Sequence, residues 1–143
     1  MDTLSYEDWL TALTIWREAR GESDAARLGV LWVIHNRVAN PGFRPSVPRV
    51  ILQPAAFSSM TNHGDPETVA WPVDAPTTHA DWKAFQDCVV LVQSGLGDTD
   101  PTSGSVFYES YPIDKLEAIR AEMPWFSAAK LAAQIGRLRF YRA

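Results

Sequence analysis

Residues 17–23 read REARGES, and they lie where two helical patterns meet. Upstream, Ser5-Tyr6-Glu7-Asp8 fits a capping box, with Ser5 as N-cap and Asp8 at the third helical position. The helix that follows carries Trp9, Ala12, Leu13 and Trp16 on one face. It should stop near Arg20, with Gly21 as the left-handed residue just past its end. Downstream, Ser23 can cap a second helix whose AARLGVLWVIHNRV run is apolar around most of its girth, the pattern of a central buried helix. NPGFRP ends it.

The junction holds two carboxylates four positions apart. Glu18, in the last turn of the first helix, faces carbonyls with no intrahelical partner and the negative end of the macrodipole. Glu22 carries like charge but sits at the favourable start of the second helix. The expectation is a separated pair, Glu18 inclined to hold a proton and Glu22 inclined to be ionised, which is how general acids arise. Spacing alone favours instead an exposed Glu18 paired with Arg17 or Arg20, since such surface pairs are common.

Beyond the junction, SVPRVILQP reads as a short helix capped by Ser46 and stopped by Pro54. Residues 58–77 are polar and proline-rich with no period, and are expected as one long loop. Thr78-His79-Ala80-Asp81 fits a second capping box, opening a helix through about Gln93 that Gly95 closes. After the turn-rich GLGDTDPTSGS, VFYES has strand composition. Residues 112–122 and 127–135 are expected to be helical, with Pro112 in the first turn and Ser127 as a cap. RLRFYR alternates like a strand and could pair with VFYES. The fold class is therefore α+β, mostly α, with a small β element, in a single domain over residues 1–143.

Composition excludes several classes. With 46% apolar and 21% charged residues the chain can bury a core, and disorder is not expected. A net charge of −4 without a basic block argues against nucleic-acid binding. Arg137, Arg139 and Arg142 cluster locally and read as a solvated strand edge. Cys88 is alone and, within DCVVLV, reads as a core residue rather than a nucleophile. His35, His63 and His79 lack zinc-ligand spacing, and no nucleotide-binding or nucleophile-elbow motif is present. Neither a metal nor a cofactor is expected. The acidic N-terminal stretch does not read as a signal peptide, and no run is long enough to span a membrane. The expectation is a monomer made in the cytoplasm without stable membrane association.

The motifs EARGES, VLWVIHNRV, VILQPAAFS, DPTSGSVFY and IGRLRFY occur in this order from about Ala12 to Tyr141. In that order they resemble the motifs of the spore-cortex-lytic type of bacterial cell-wall hydrolase, a family also found in phage lysis enzymes. The resemblance implies a lysozyme-like, mostly helical fold that cleaves the glycan strands of peptidoglycan. It implies that Glu18 is the catalytic acid, and that Glu22, Phe57, Ser58, Asp100, Thr102 and Tyr108 belong to the substrate groove. Asp100 and Gly104 are also ordinary turn residues. Two positions depart from the family pattern: Leu138 replaces a histidine in the closing motif, and His35 replaces an aliphatic residue.

The resemblance favours lytic transglycosylation of the N-acetylmuramic acid–N-acetylglucosamine bond, in the setting of a phage endolysin that reaches the wall after release. Hydrolytic muramidase action is the alternative, with Asp65, Glu67 and Asp74 as loop acids that could supply a second carboxylate. A non-catalytic peptidoglycan-binding or structural phage protein is a third reading. Amidase action usually needs zinc, for which no ligand set is visible.

Overall fold

The computed structural model describes residues 3–72 and 79–143. Helix α1 (Tyr6–Ala19) begins where the capping box places it, the Ser5 hydroxyl accepting the Asp8 N–H at 3.0 Å. Helix α2 (Asp24–Ala39) begins with Ser23 accepting the Ala26 N–H. Its residues Ala26, Val30, Leu31, Val33 and Ile34 are buried, as its apolar girth requires. The short α3 (Val47–Ile51) starts at Ser46, with a proline in its first turn.

The close of α1 differs from the expectation. Gly21 does not adopt the left-handed conformation. Instead Arg27, buried on α2, donates through Nε to the Ala19 carbonyl at 3.2 Å and through Nη2 to the Arg20 carbonyl at 2.6 Å. The terminal carbonyls of α1 thus meet a guanidinium from the next helix, which answers both the orphan acceptors and the dipole. Sequence spacing shows a glycine; it does not show which distant side chain will arrive.

Residues 58–72, expected as unbroken loop, contain helix α4 (Ser58–Thr61) and a 3₁₀ turn (Pro66–Val69) started by Asp65 accepting the Glu67 N–H. The expected cap Thr78 and the loop acid Asp74 lie outside the described residues. Helix α5 (His79–Ser94) packs on α1, where the Trp16 indole donates to the Asp81 carbonyl and Phe85, Cys88 and Val89 enter the core. Gly95 closes it at φ +82. Cys88 has no exposed surface, and burial pushes its thiol up to about 12, as a core cysteine should be.

The chain then forms β1 (Phe107–Glu109), α6 (Ile113–Glu122), α7 (Pro124–Ala128), β2 (Lys130–Ile135) and β3 (Leu138–Arg142). The sheet order is β1-β3-β2, antiparallel throughout. VFYES and RLRFYR pair as expected, Tyr108 opposite Phe140. Pro112 stands as the N-cap of α6 rather than inside its first turn.

Of the helix expected over 127–135, only the first two residues are helical, as the end of α7, whose N-cap is Met123 and not Ser127; Lys130–Ile135 is a strand. Lys, Leu, Ala and Gln in KLAAQI are helix formers, but this segment finds a strand partner in β3. The sign that was legible is Gly136-Arg137, a two-residue hairpin loop with Gly136 at φ +59. Nor are the C-terminal arginines all solvated. The Arg139 side chain is 12% exposed and grips the buried Glu109 carboxylate through two donors at 2.7 Å.

Strand alternation divides the core in two. Tyr108, Leu138 and Phe140 face the main core, which α1, α2, α3 and α5 build. Phe107 and Tyr141 face the opposite side, where Phe126, Leu116 and Ile119 of the α6–α7 pair cover them. Gly29 lets the sheet lie against α2, because a Cβ there would come within 2.5 Å of the Phe140 ring. No helix among the described residues is long and apolar enough to cross a membrane.

Candidate active site

Glu18 is half-buried in the last turn of α1 and pairs with neither Arg17 nor Arg20. Its Oε2 accepts the Ser59 hydroxyl at 2.6 Å, and its Oε1 accepts the Tyr108 hydroxyl. These donors come from opposite sides, Ser59 from α4 and Tyr108 from the central position of β1. The carboxyl group is therefore fixed at both oxygens without a counter-cation in hydrogen-bond contact among the described residues.

The two arginines beside Glu18 build the walls. Arg17 donates to the Ala70 carbonyl at 3.1 Å and the Ser59 carbonyl at 3.2 Å, holding residues 59–70 over α1. Its guanidinium lies 4.5 Å from the Trp71 ring centre, and burial lowers its pKa against opposing Glu67 and Asp65. Arg20 makes a fork-to-fork pair with Glu67 at 2.6 and 2.8 Å.

Tyr108 also borders a cleft of about 370 Å³. The rings of Phe43, Phe107 and Trp125 line it, with Arg37 at its floor. Trp125 is half exposed and lies 4.6 Å from Phe107, centre to centre. Burial raises the Tyr108 phenol well above its ordinary value; the Glu18 charge and hydrogen bond act in the same direction, and Arg37 opposes them. Tyr108 therefore remains a hydroxyl donor through the physiological range. An acid held by two hydroxyls, beside a cleft walled with aromatic rings, can deliver a proton to a bound saccharide.

Residues 21–141 match the Cell Wall Hydrolase family. The chain belongs to that family. Among solved structures it is similar to the catalytic domain of the Bacillus cereus SleB protein, at 24% identity and a TM-score of 0.61, covering 99% of this chain and 94% of that one. It is equally similar to the catalytic domain of the germination-specific lytic transglycosylase SleB from Bacillus anthracis, at 24% identity and a TM-score of 0.61, covering 99% of each chain. These likenesses show the fold, mostly helical with a small sheet, that the sequence reading expected. No curated protein matches the sequence.

In this cell wall hydrolase the other residues singled out from sequence take different places. Glu22 binds Arg137 of the β2–β3 turn at 2.9 Å, tying the α1–α2 junction to the hairpin. Phe57 is 2% exposed and lies beneath Arg37, so it supports the cleft from behind. The exposed Ser58 hydroxyl donates to Asp65 at 2.7 Å rather than to Glu18. Its neighbour Ser59 makes the contact with Glu18, and nothing in two consecutive serines told them apart.

Asp100 organises a turn. It accepts from Asn36 Nδ2, from the Thr102 N–H and hydroxyl, and from the Gly104 N–H, all at 2.7–2.8 Å. Burial pushes this carboxyl up, but the hydrogen bonds outweigh it and hold Asp100 below its ordinary value. Thr102 has no exposed surface to offer a ligand, and Ser103 and Gly104 both have positive φ, so the turn reading of this motif describes the geometry. Leu138, in place of the family's histidine, is buried in the main core. His35 lies half-buried beside α5, and burial lowers its imidazole pKa with Glu7 opposing. Among the described residues no group of three or more His, Cys, Asp or Glu could hold a metal.

Proposed function

We propose that this cell wall hydrolase cleaves the β-1,4 bond between N-acetylmuramic acid and N-acetylglucosamine by lytic transglycosylation, with Glu18 as its single acid and base. The observation that carries this reading is the grip of Ser59 and Tyr108 on the two oxygens of Glu18 beside an aromatic cleft. Three of the acids weighed from sequence are committed elsewhere: Glu22 to Arg137, Glu67 to Arg20, and Asp100 to its turn.

In the reaction, protonated Glu18 gives its proton to the glycosidic oxygen as the bond from that oxygen to the muramoyl C1 breaks, and the N-acetylglucosamine leaves with a free 4-hydroxyl. The resulting Glu18 carboxylate takes the proton of the muramoyl 6-hydroxyl, whose oxygen closes on C1. Products are a 1,6-anhydromuramoyl end and a regenerated acid, with no water consumed. Muropeptide mass spectrometry tests this directly. Ends lighter by one water than the hydrolytic products support transglycosylation; reducing muramic acid ends in their place refute it. A Glu18→Gln protein that still clears walls refutes the role of Glu18.

One observation favours the hydrolytic alternative. Asp65 accepts Ser58 Oγ and the Glu67 N–H, and these bonds hold its carboxyl below the ordinary value. A carboxylate kept ionised, bonded to Ser58 beside the Ser59 that touches Glu18, is the group to activate a water. Asp65→Asn separates the readings, since it should abolish hydrolysis but spare anhydro products.

Delivery is a separate proposal: action as a phage endolysin, made in the cytoplasm and monomeric, that meets peptidoglycan after release through a membrane lesion. Its support is the family's wall substrate. Expression with and without a holin tests it, with lysis expected in the first case alone.

A further inference from the structure

The transglycosylation reading above leaves Arg37 without a task, although Arg37 forms the floor of the cleft. Its residue is 6% exposed. Its Nε donates to the Val106 carbonyl at 2.7 Å, and the guanidinium lies 5.0, 5.3 and 5.7 Å from the ring centres of Phe57, Phe43 and Phe107. Among the described residues no carboxylate comes within ion-pair distance of it, and its terminal nitrogens donate no hydrogen bond.

A largely buried cation gains from an acceptor that meets its remaining donors, and the Arg37 terminal nitrogens are not sealed from solvent. The open side of this one is the cleft of about 370 Å³, at the lower end of the size range of small-molecule sites. The planar fork of a guanidinium matches a carbonyl or carboxylate oxygen better than a hydroxyl. The ring faces above it suit the apolar face of a pyranose. Tyr108 lines the same cleft and touches Glu18, so a ring seated there is adjacent to the acid.

We propose that Arg37 is a substrate-binding residue that takes an acyl oxygen of an N-acetylated amino sugar, while Phe107 and Trp125 carry the sugar ring. This deepens the transglycosylase reading and rests on its choice of substrate class. The acyl oxygen has two possible sources on a wall glycan: the acetamido carbonyl borne by both sugars, or the lactyl carboxyl of muramic acid.

Binding measured by calorimetry in a Glu18→Gln background, which prevents turnover, distinguishes them. The probes are chitotetraose, which has acetamido groups and no lactyl group, and a peptide-free tetrasaccharide of alternating N-acetylglucosamine and N-acetylmuramic acid. Arg37→Lys keeps the charge and loses the fork. Gln53→Glu places a competing carboxylate on the wall of the same cleft without touching the core.

Both substitutions should weaken binding about tenfold or more, as expected for hydrogen bonds to a charged group. Loss for both probes assigns the acetamido carbonyl; loss for the muramyl probe alone assigns the lactyl carboxyl. If Arg37→Lys does not fold, Gln53→Glu decides. Parent-like affinity for both probes in the folded variants overturns the proposal, as does failure of the Glu18→Gln parent to bind either. A wild-type protein that makes anhydro ends while these variants bind normally refutes Arg37 alone. Arg37-dependent binding in a protein that makes no anhydro ends refutes the reaction alone.

Discussion

Ser59 of α4 meets Glu18 of α1, its hydroxyl 2.6 Å from Oε2, while Arg17, the residue just before Glu18, holds the carbonyl of the same serine at 3.2 Å. Two consecutive residues of α1 thus fix both ends of one residue on α4. The orientation of the acid is set by this clamp, and not by α1 alone.

Ser59→Ala should therefore lower the lytic rate by about tenfold or more, the worth of a hydrogen bond to a charged group, with the melting temperature little changed. Ser58→Ala, which loses a bond to Asp65 on the surface, should leave the lytic rate close to wild type if transglycosylation is the reaction. Turbidity assays on the two purified variants make the comparison. Equal rates for both would show that the Ser59 contact has no part in the reaction.

Tyr108→Phe keeps the ring against Phe140 and removes the donor to Glu18 Oε1. A fall in kcat of about ten- to a hundredfold is expected, with the fold retained. Because burial and Glu18 raise the Tyr108 pKa, the phenol should not ionise within the working range. Its contribution to stability is fully present below the ordinary tyrosine pKa and is lost as pH rises through the higher folded value. The alkaline limb of the wild-type pH–rate profile should then belong to another group and persist in the variant.

Asp100 offers the opposite sign. Its folded pKa is depressed, so its stabilisation is present above the ordinary carboxyl value and is lost as pH falls through the folded one. Asp100→Asn should melt well below wild type at neutral pH, because its amide cannot accept all the donors of Asn36, Thr102 and Gly104. The gap should narrow as the buffer becomes acid. Melting curves across a pH series check it, and a constant gap would contradict the assignment.

Gly29→Ala tests the packing of the sheet on α2. The new Cβ would come 2.5 Å from Phe140 Cζ, and that ring has no exposed surface into which to move. Alanine is the better helix former, so propensity alone predicts a gain. Overpacking should win, at about 1–3 kcal/mol of lost stability measured by urea denaturation. A stabilised variant would show that the sheet can shift.

Local chemistry accounts for what was legible. Ser5, Ser23 and Ser46 each cap the helix that their side chains predict, since the cap bond closes within three residues. The pairing of VFYES with RLRFYR was readable from alternation, while the Gly136-Arg137 hairpin turn follows a segment whose residues favour helix.

The sequence by itself determined the helix starts, the central apolar helix, the family's motif order and the suspicion attached to Glu18. Tertiary structure decided what surrounds that acid. Ser59 arrives from 41 residues away and Tyr108 from 90, and Arg27 supplies the cap that Gly21 was expected to provide. Short-range rules govern bonds that close within a turn; they carry no information about which distant side chain fills a space. Arg17 shows the difference most plainly. In sequence it is a candidate ion-pair partner for Glu18, yet in the fold it lies buried against the backbone of residues 59 and 70, holding the donor that Glu18 receives.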